Sequence, residues 1–245
     1  MYAQSIPTST DSKQSSKPVV STKDPSVLVV QVFTHHKQYC RWMYPKFFET
    51  LTYGNKYGAF IDEKKYPELS RQPTGEQRAA CGRQIGIDLA RKGNFDWLFM
   101  LDLDTEPDPD CIEKMLALDY PLVGGLHAAR GNAWQSIGHN YTSRKTLERV
   151  WLRENDLKGN PIVDGISGGM LLVAKGIFCR VDYSGYLGPH TIPLRYTADD
   201  EFYEIKIFNS LKIRPKVASN CRSWHYSDDG RAYRLWGEVK QWREF

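Results

Sequence analysis

Cysteine is scarce in this sequence: Cys40, Cys81, Cys111, Cys179 and Cys221 are the five in 245 residues, and no two form a CxxC pair. A disulfide framework usually has an even number of cysteines, and a zinc–thiolate centre usually has closely paired ones. The odd, scattered set argues against both. It is typical of a protein that works in a reducing compartment.

Long apolar segments and blocks of one charge are also missing. No apolar run approaches the roughly 20 residues that a membrane-spanning helix needs, and the N-terminus lacks the apolar stretch of a signal peptide. The formal net charge is only +4, and no basic block is longer than three residues. The sequence therefore predicts a cytoplasmic protein without a transmembrane segment, for which a nucleic-acid partner is neither implied nor excluded.

Three regions follow from the distribution of apolar residues. Residues 1–25 are rich in serine, threonine, lysine, glutamine and proline, so we expect a disordered N-terminal tail with little to bury. Residues 26–227 are predicted to form one domain. Residues 228–245 are a C-terminal extension, which we expect to pack on the domain as a charged helix with two tryptophans.

Strands and helices alternate in the first half of the domain. Short β-branched runs without polar alternation indicate buried parallel strands at 26–34 and 96–104, and a further strand is predicted at 56–62. The intervening and following segments have helical patterns, which predicts an α/β fold with a mixed, mostly parallel sheet flanked by helices. The helices are predicted at 40–52, 74–93 and from 108; later strands at 121–129, 161–169, 169–178 and 213–226; and a last helix at 198–211.

The segment WLFMLDLDTEPDPD, from Trp97 to Asp110, runs from apolar residues directly into a series of carboxylates. Because side chains alternate along an extended chain, Asp102 and Asp104 are expected to point to the same side, where the strand leaves the sheet. Open α/β sheets bind ligands at this edge, and two neighbouring carboxylates suit a divalent cation such as Mg²⁺ or Mn²⁺. The second acid pair, DPD, precedes a helix and is predicted to cap it.

Six successive blocks of the chain resemble the family 2-type glycosyltransferases, which have the GT-A fold. They are VLVVQVFTH, RQIGIDLA, FDWLFMLDLDTEPDPDCIEKMLA, ISGGMLLVAKGIF, ADDEFYEIKIFNSLKIRPKV and the late WHY. The resemblance covers roughly residues 26–226. It implies a single GT-A-like (Rossmann-like) domain that uses a UDP- or GDP-linked sugar together with Mn²⁺ or Mg²⁺.

The resemblance also implies a donor site. The DxD residues Asp102, Leu103 and Asp104 would contact the metal, the diphosphate and the ribose, and His225 would be a late metal ligand; a histidine packed between two aromatic residues is its structural alternative. Thr34 and Asp62, at the ends of the first two strands, would frame the base and ribose, unless they are ordinary loop residues. Arg83 would lie near the donor, or else be an exposed helix arginine.

The catalytic acid is implied by TADDEFYEIK. Aligning its aromatic residue with the family motif places Asp199 on the catalytic aspartate, but Ala198 stands where the family has a glutamate. Asp200 or Glu201 could substitute. In an inverting transfer the acid would deprotonate the acceptor hydroxyl, whereas the structural alternative is an acidic first turn that complements the helix dipole. The segment GISGGM resembles the family segment that lines the acceptor side, which implies Gly168 and Gly169 there, unless these glycines only make a tight turn. Trp134 could stack on a sugar face on the acceptor side, or else cover the core.

Two other functions compete with the glycosyltransferase interpretation. A nucleotidyltransferase also combines an α/β sheet with acidic metal ligands, but the loop after the first strand has no glycine with which to cradle phosphates. A catalytically inactive sugar- or nucleotide-binding protein of the same fold would explain the missing glutamate before Asp199. The sequence leaves open the donor, the acceptor and the choice between inversion and retention.

Overall fold

Three apolar segments form one half of the central sheet. The computed structural model describes residues 24–33, 43–129, 131–136, 138–143, 148–186 and 199–242. The segments are β1 (Val27–Val32), β2 (Lys56–Ile61) and β3 (Trp97–Asp102), and β1 lies between the other two and pairs in parallel with both. All of β1 and all but the last residue of β3 are buried, as predicted for strands covered on both faces.

The other half of the sheet is mixed. β10 (Met170–Ala174) runs antiparallel between β3 and β5 (Leu122–Leu126), and β11 (Lys216–Tyr226) pairs in parallel with β5. β4 (Thr105–Pro107), β12 (Arg231–Arg234) and β13 (Glu238–Gln241) continue the sheet beyond β11. Most strands share one direction. The predicted class, a single α/β Rossmann-like domain with a mixed, mostly parallel sheet, is therefore confirmed.

Helices cover both faces of the sheet. α2 (Gly75–Lys92), α4 (Lys175–Phe178) and α5 (Asp199–Leu211) contribute to one apolar core, which also contains alternate residues of β1. α1 (Met43–Thr50) and α3 (Cys111–Leu116) contribute to the core on the opposite face. Two apolar cores on one sheet are the usual way for an α/β fold to bury both faces of its strands.

α2 has the ends that the sequence predicts. The hydroxyl of Thr74 accepts a hydrogen bond from the backbone N–H of Gln77 at 3.1 Å, and Gly93 is the C-cap. Gly82 and Gly86 allow the helix to lie close to β1, because a Cβ on Gly82 would be 2.2 Å from Cγ1 of Val32. No larger side chain fits there without displacement of the helix or the strand.

We expect Gly82→Ala to destabilise the protein by about 2 kcal/mol, because overpacking outweighs the better helix propensity of alanine. Chemical denaturation would measure this change. Gly54→Ala is the matched control, since nothing lies within 4 Å of its would-be Cβ. Shortening Val32 to alanine in the Gly82→Ala background should recover part of the loss, and strictly additive effects would contradict the steric explanation.

Two later segments differ from the sequence predictions. Residues 161–169 form no strand and make only isolated bridges, Ile162 with Lys216 and Gly165 with His139. The C-terminal extension is not a helix: β12 and β13 form a hairpin whose turn contains Trp236 and Gly237, both with positive φ. A left-handed turn of this kind reverses the chain and interrupts any helix.

Two short hairpins lie outside the central sheet. One joins β6 (Ala128–Ala129) to β7 (Asn132–Ser136), and the other joins β8 (His139–Ser143) to β9 (Glu148–Trp151). The first follows directly after β5. Among the helices that the structure describes, none combines the length and the apolar character needed to cross a bilayer.

Candidate functional site

Polar side chains gather where the parallel strands end. In the strand register, Ile61 of β2, Val32 of β1 and Asp102 of β3 lie in one row, so these three strands end together. His127 follows β5 and His225 lies near the end of β11, which runs parallel to β5. This edge, at the carboxyl ends of the strands, is where open α/β sheets bind ligands.

Asp102 is held between α2 and the segment before β10. Arg83 is buried, and its guanidinium donates a hydrogen bond to Asp102 Oδ1 at 2.9 Å. The Asp102 backbone N–H donates to the carbonyl of Gly169 at 2.9 Å. Arg83 is therefore not an exposed helix arginine. It places a positive charge against the first carboxylate of the DxD sequence.

Asp104 is fully buried and faces a histidine. Its Oδ2 lies 3.5 Å from Nε2 of His225, and its backbone carbonyl accepts a hydrogen bond from the N–H of Tyr226 at 2.8 Å. Leu103, between the two aspartates, is also fully buried, in a small core with Phe33 and Phe47. The predicted pair Asp104 and His225 thus comes together through the pairing of β4 with β11.

The orientation of His225 follows from its second ring nitrogen. Nδ1 lies 2.8 Å from the carbonyl oxygen of Ala128. A carbonyl only accepts hydrogen bonds, so Nδ1 carries a hydrogen, and Nε2 is the ring nitrogen that faces Asp104. A proton or a cation between Nε2 and the carboxylate would hold the two groups together. Metal-binding histidines are commonly oriented by such a bond from the other nitrogen.

His127 is a site residue that the sequence did not reveal. It is buried, its ring meets that of His225 edge to face at a centroid distance of 5.3 Å, and it lies against Gly169. A Cβ on Gly169 would be 3.0 Å from the His127 ring and 3.4 Å from Asp102 Oδ2, so the glycine admits both side chains. The sequence feature that could have indicated His127 is its position as a polar residue directly after the apolar run of β5.

The residues of the predicted metal site are neighbours but do not form a ready-made cluster. In the part of the chain that the structure describes, no three histidine, cysteine, aspartate or glutamate side chains form a group that could hold a metal ion. Asp102 is turned towards Arg83, whereas Asp104 and His225 face each other. A carboxylate oxygen opposite an imidazole nitrogen suits Mn²⁺ well and Mg²⁺ less well, so the donor chemistry fits a divalent cation.

Asp62 occupies the predicted end of β2. One of its carboxylate oxygens accepts hydrogen bonds from the backbone N–H groups of Lys64 and Lys65, at 3.0 and 2.9 Å. It also borders an open cavity of about 600 Å³ that runs along β2 beside Leu89 of α2. With strands spaced about 4.8 Å apart, Asp62 lies roughly 10 Å from Asp102 along the same edge. Thr34 lies outside the described residues.

The predicted catalytic acids Asp199 and Asp200 open α5. Their side chains lie outside the described part of the structure. The next acid, Glu201, is buried: its carboxylate accepts hydrogen bonds from Tyr141 Oη at 2.5 Å and from Arg149 Nε at 2.9 Å. Burial, and then the Glu201 carboxylate, raise the pKa of Tyr141. Glu201 thus ties the β8–β9 hairpin to α5.

A second buried acid, Glu204, lies one turn further along α5. Both of its oxygens accept the backbone N–H of Ile166 at 3.1 Å. This bond fixes the segment that leads through the turn at Gly168 to Gly169, next to Asp102. The predicted acceptor-side residues Gly168 and Gly169 therefore lie at or next to the contact with Asp102. Trp134, on β7, is 72 % exposed.

The second acid pair contributes to the fold. Asp110 is the N-cap residue of α3, but its side chain makes no capping hydrogen bond and instead pairs with Lys114 at 2.7 Å. Asp108 accepts hydrogen bonds from the backbone of Arg222 at 3.2 Å and from the side chain of Arg234 at 2.5 Å. Asp110 therefore takes the predicted N-cap position but lacks the side-chain hydrogen bond of a cap. These acids connect α3 with β11 and β12.

Comparison with known proteins identifies a shared fold. No protein-family model and no curated protein sequence matches this chain. The crystal structure of A197 from STIV is similar with a TM-score of 0.60 at 13% identity, over 90% of this chain and 95% of that one. A glycosyltransferase involved in the glycosylation of the major capsid of PBCV-1 has a TM-score of 0.41 at 13% identity, over 79% of this chain and 81% of that one. The likeness to A197 supports the fold alone.

Proposed function

We propose that this protein is a metal-dependent glycosyltransferase, which transfers a sugar from a nucleotide-sugar donor to an acceptor hydroxyl. The observation that carries the proposal is the pair Asp104 and His225, a buried carboxylate and a correctly oriented imidazole at the carboxyl ends of the strands. Asp102 and the buried Arg83 adjoin it. Two carboxylates, an imidazole and a guanidinium at this edge suit a divalent cation with a diphosphate.

Each residue has a role in the proposed reaction. Asp102, Asp104 and His225 would hold Mn²⁺ or Mg²⁺, which would stabilise the departing nucleoside diphosphate. Arg83 would exchange its bond with Asp102 for a phosphate oxygen as the donor binds. Asp62 and Thr34, at the ends of β2 and β1, would contact the ribose and base. Asp199 would take the proton of the acceptor hydroxyl, with Asp200 as the alternative base.

One observation favours a second candidate, a binding protein of the same fold without turnover. The sequence offered Glu201 as a substitute for the glutamate missing before Asp199. The Glu201 carboxylate instead accepts hydrogen bonds from Arg149 and Tyr141, and the Glu204 carboxylate accepts one from the backbone N–H of Ile166. If neither Asp199 nor Asp200 acts as a base, the site would bind a nucleotide sugar and release it unchanged.

A thermal-shift panel tests the proposed function. UDP, GDP, CMP and their common sugar conjugates would each be added to the wild type, with Mn²⁺, with Mg²⁺ and with EDTA. At about 100 times its dissociation constant, a ligand that binds only the folded state adds about 2.7 kcal/mol of stability. We expect one nucleotide class to raise the melting temperature only when metal is present; a panel with no such member would contradict the proposal.

Turnover separates the enzyme from the binding protein. Donor hydrolysis or transfer would be followed as release of the nucleotide found in the panel, which is a diphosphate for a UDP- or GDP-linked donor. Asp199→Asn and Asp200→Asn variants that bind the donor but lose this release would support catalysis. Wild type that binds the donor and releases no nucleotide with any acceptor tried would favour the binding protein.

A further inference from the structure

Trp134 is the most exposed large apolar side chain in the described part of the protein, yet its ring has a defined seat. A Cβ on Gly237 would lie 2.3 Å from Cζ2 and 2.8 Å from Cη2 of the indole, so the ring occupies the space that a side chain at position 237 would take. Gly237 has φ of +87°, a conformation that other residues rarely adopt. The hairpin turn between β12 and β13 therefore supports one side of the indole.

Backbone hydrogen bonds hold this seat in place. The N–H groups of Trp236 and Gly237 both donate to the carbonyl of Ala133, at 3.0 and 3.3 Å. The N–H of Trp134 donates to the side-chain oxygen of Asn132 at 3.0 Å, and Asn132 in turn donates to Gln135 at 3.4 Å. An indole that is fixed before binding loses little rotamer entropy when a ligand stacks on it. The neighbouring amides supply uncharged hydrogen-bonding groups.

The β6–β7 hairpin connects Trp134 with the proposed donor site. Ala128, whose carbonyl orients His225, pairs with Ser136 across the β6–β7 hairpin. Trp134 is two residues from Ser136 on β7, a distance of about 7 Å along the strand. A group stacked on the indole would therefore lie beside the same hairpin whose Ala128 carbonyl orients His225.

We propose that the exposed side of the Trp134 indole is a stacking platform for a pyranose ring of the acceptor. The proposal rests on the proposed glycosyltransferase function and adds to it that the acceptor is a carbohydrate. The face of an indole carries partial negative charge and is apolar, which matches the weakly positive axial C–H groups on the face of a pyranose. Asn132 and Gln135, within two residues of Trp134 on β7, add amide groups that can form hydrogen bonds with sugar hydroxyls.

Titration with cellopentaose, chitopentaose and maltopentaose, without nucleotide or metal, tests the platform separately from the donor site. The readout is the NMR resonance of the Trp134 indole N–H, assigned by its loss in Trp134→Phe. We expect at least one of these sugars to shift the resonance saturably, and Trp134→Ala to weaken its binding at least tenfold. Tyr57→Ala is the matched control, because Tyr57 is a half-exposed aromatic residue on β2, at the other edge of the sheet.

A second variant keeps the indole and removes the space beside Gly237 in which it packs. Gly237→Ala should displace the ring and weaken sugar binding with Trp134 still present, in protein whose melting curve stays cooperative. Three results would overturn the proposal: no shift with any of the sugars, equal binding by Trp134→Ala, or a Trp134-dependent self-association by sedimentation with no sugar effect. Sugar binding without any nucleotide binding would instead reject the glycosyltransferase and leave the carbohydrate platform.

Discussion

Asp104→Asn is expected to abolish metal-dependent nucleotide binding, with a loss of affinity of at least 100-fold. Asparagine has the same shape, but it removes the buried negative charge that faces Nε2 of His225. A divalent cation depends on that charge. The thermal-shift panel, repeated on this variant with Mn²⁺ and with EDTA, gives the measurement.

The same substitution should change the stability of the metal-free protein by much less than it changes metal-dependent binding. Asparagine keeps the shape of the side chain, and its amide group can form a hydrogen bond with Nε2 in place of the carboxylate. Asp88→Asn is the control, because Asp88 is an exposed carboxylate on α2, the helix that carries Arg83. Full metal-dependent stabilisation in Asp104→Asn would show that this carboxylate holds no cation.

Arg149→Met is expected to destabilise the protein by about 3 kcal/mol, because it leaves the carboxylate of Glu201 buried without its cation. The methionine keeps most of the aliphatic volume, so the loss should come mainly from charge. Arg149 forms an ion pair with Glu201, whose side chain is only 4% exposed. Urea denaturation followed by circular dichroism would give the free energy of unfolding.

A matched exposed pair is the control for Arg149. Arg231 forms an ion pair with Asp229 at 2.8 Å, and the two side chains are 48% and 33% exposed, so Arg231→Met should cost less than about 1 kcal/mol. Adding Glu201→Gln to Arg149→Met should restore part of the stability, since a neutral amide is cheaper to bury than an unpaired carboxylate. Equal costs for the two arginine variants would contradict a buried ion pair.

Local patterns in the sequence predicted the elements that depend on local forces. The apolar runs of β1 and β3 located the buried strands, and Thr74 and Gly93 located both ends of α2. The acidic end of β3 pointed to the edge where Asp102 lies. In each of these cases the cause lies within a few residues of its effect, so periodicity and capping chemistry suffice.

Features that depend on distant residues were missed or misread. His127 becomes part of the site only because β5 pairs with both β10 and β11. The Glu201 carboxylate is bonded to Arg149, which lies 52 residues away in the sequence. The C-terminal extension has charge and tryptophans in a pattern that suits a helix, but the positive φ of Trp236 and Gly237 and the edge of β11 make it a hairpin. Sequence periodicity carries no information about such long-range pairing.

Because β11 pairs with β4 and β5, which come much earlier in the chain, it determines when the site can form during synthesis. Tyr226 bonds to Glu106, 120 residues earlier, and its neighbour His225 bonds to Ala128, 97 residues earlier. Asp104 therefore meets its histidine only after the ribosome has released the chain through His225. Until then β5 lacks its β11 partner and presents an apolar edge, the kind of folding intermediate that is prone to aggregate or to engage chaperones.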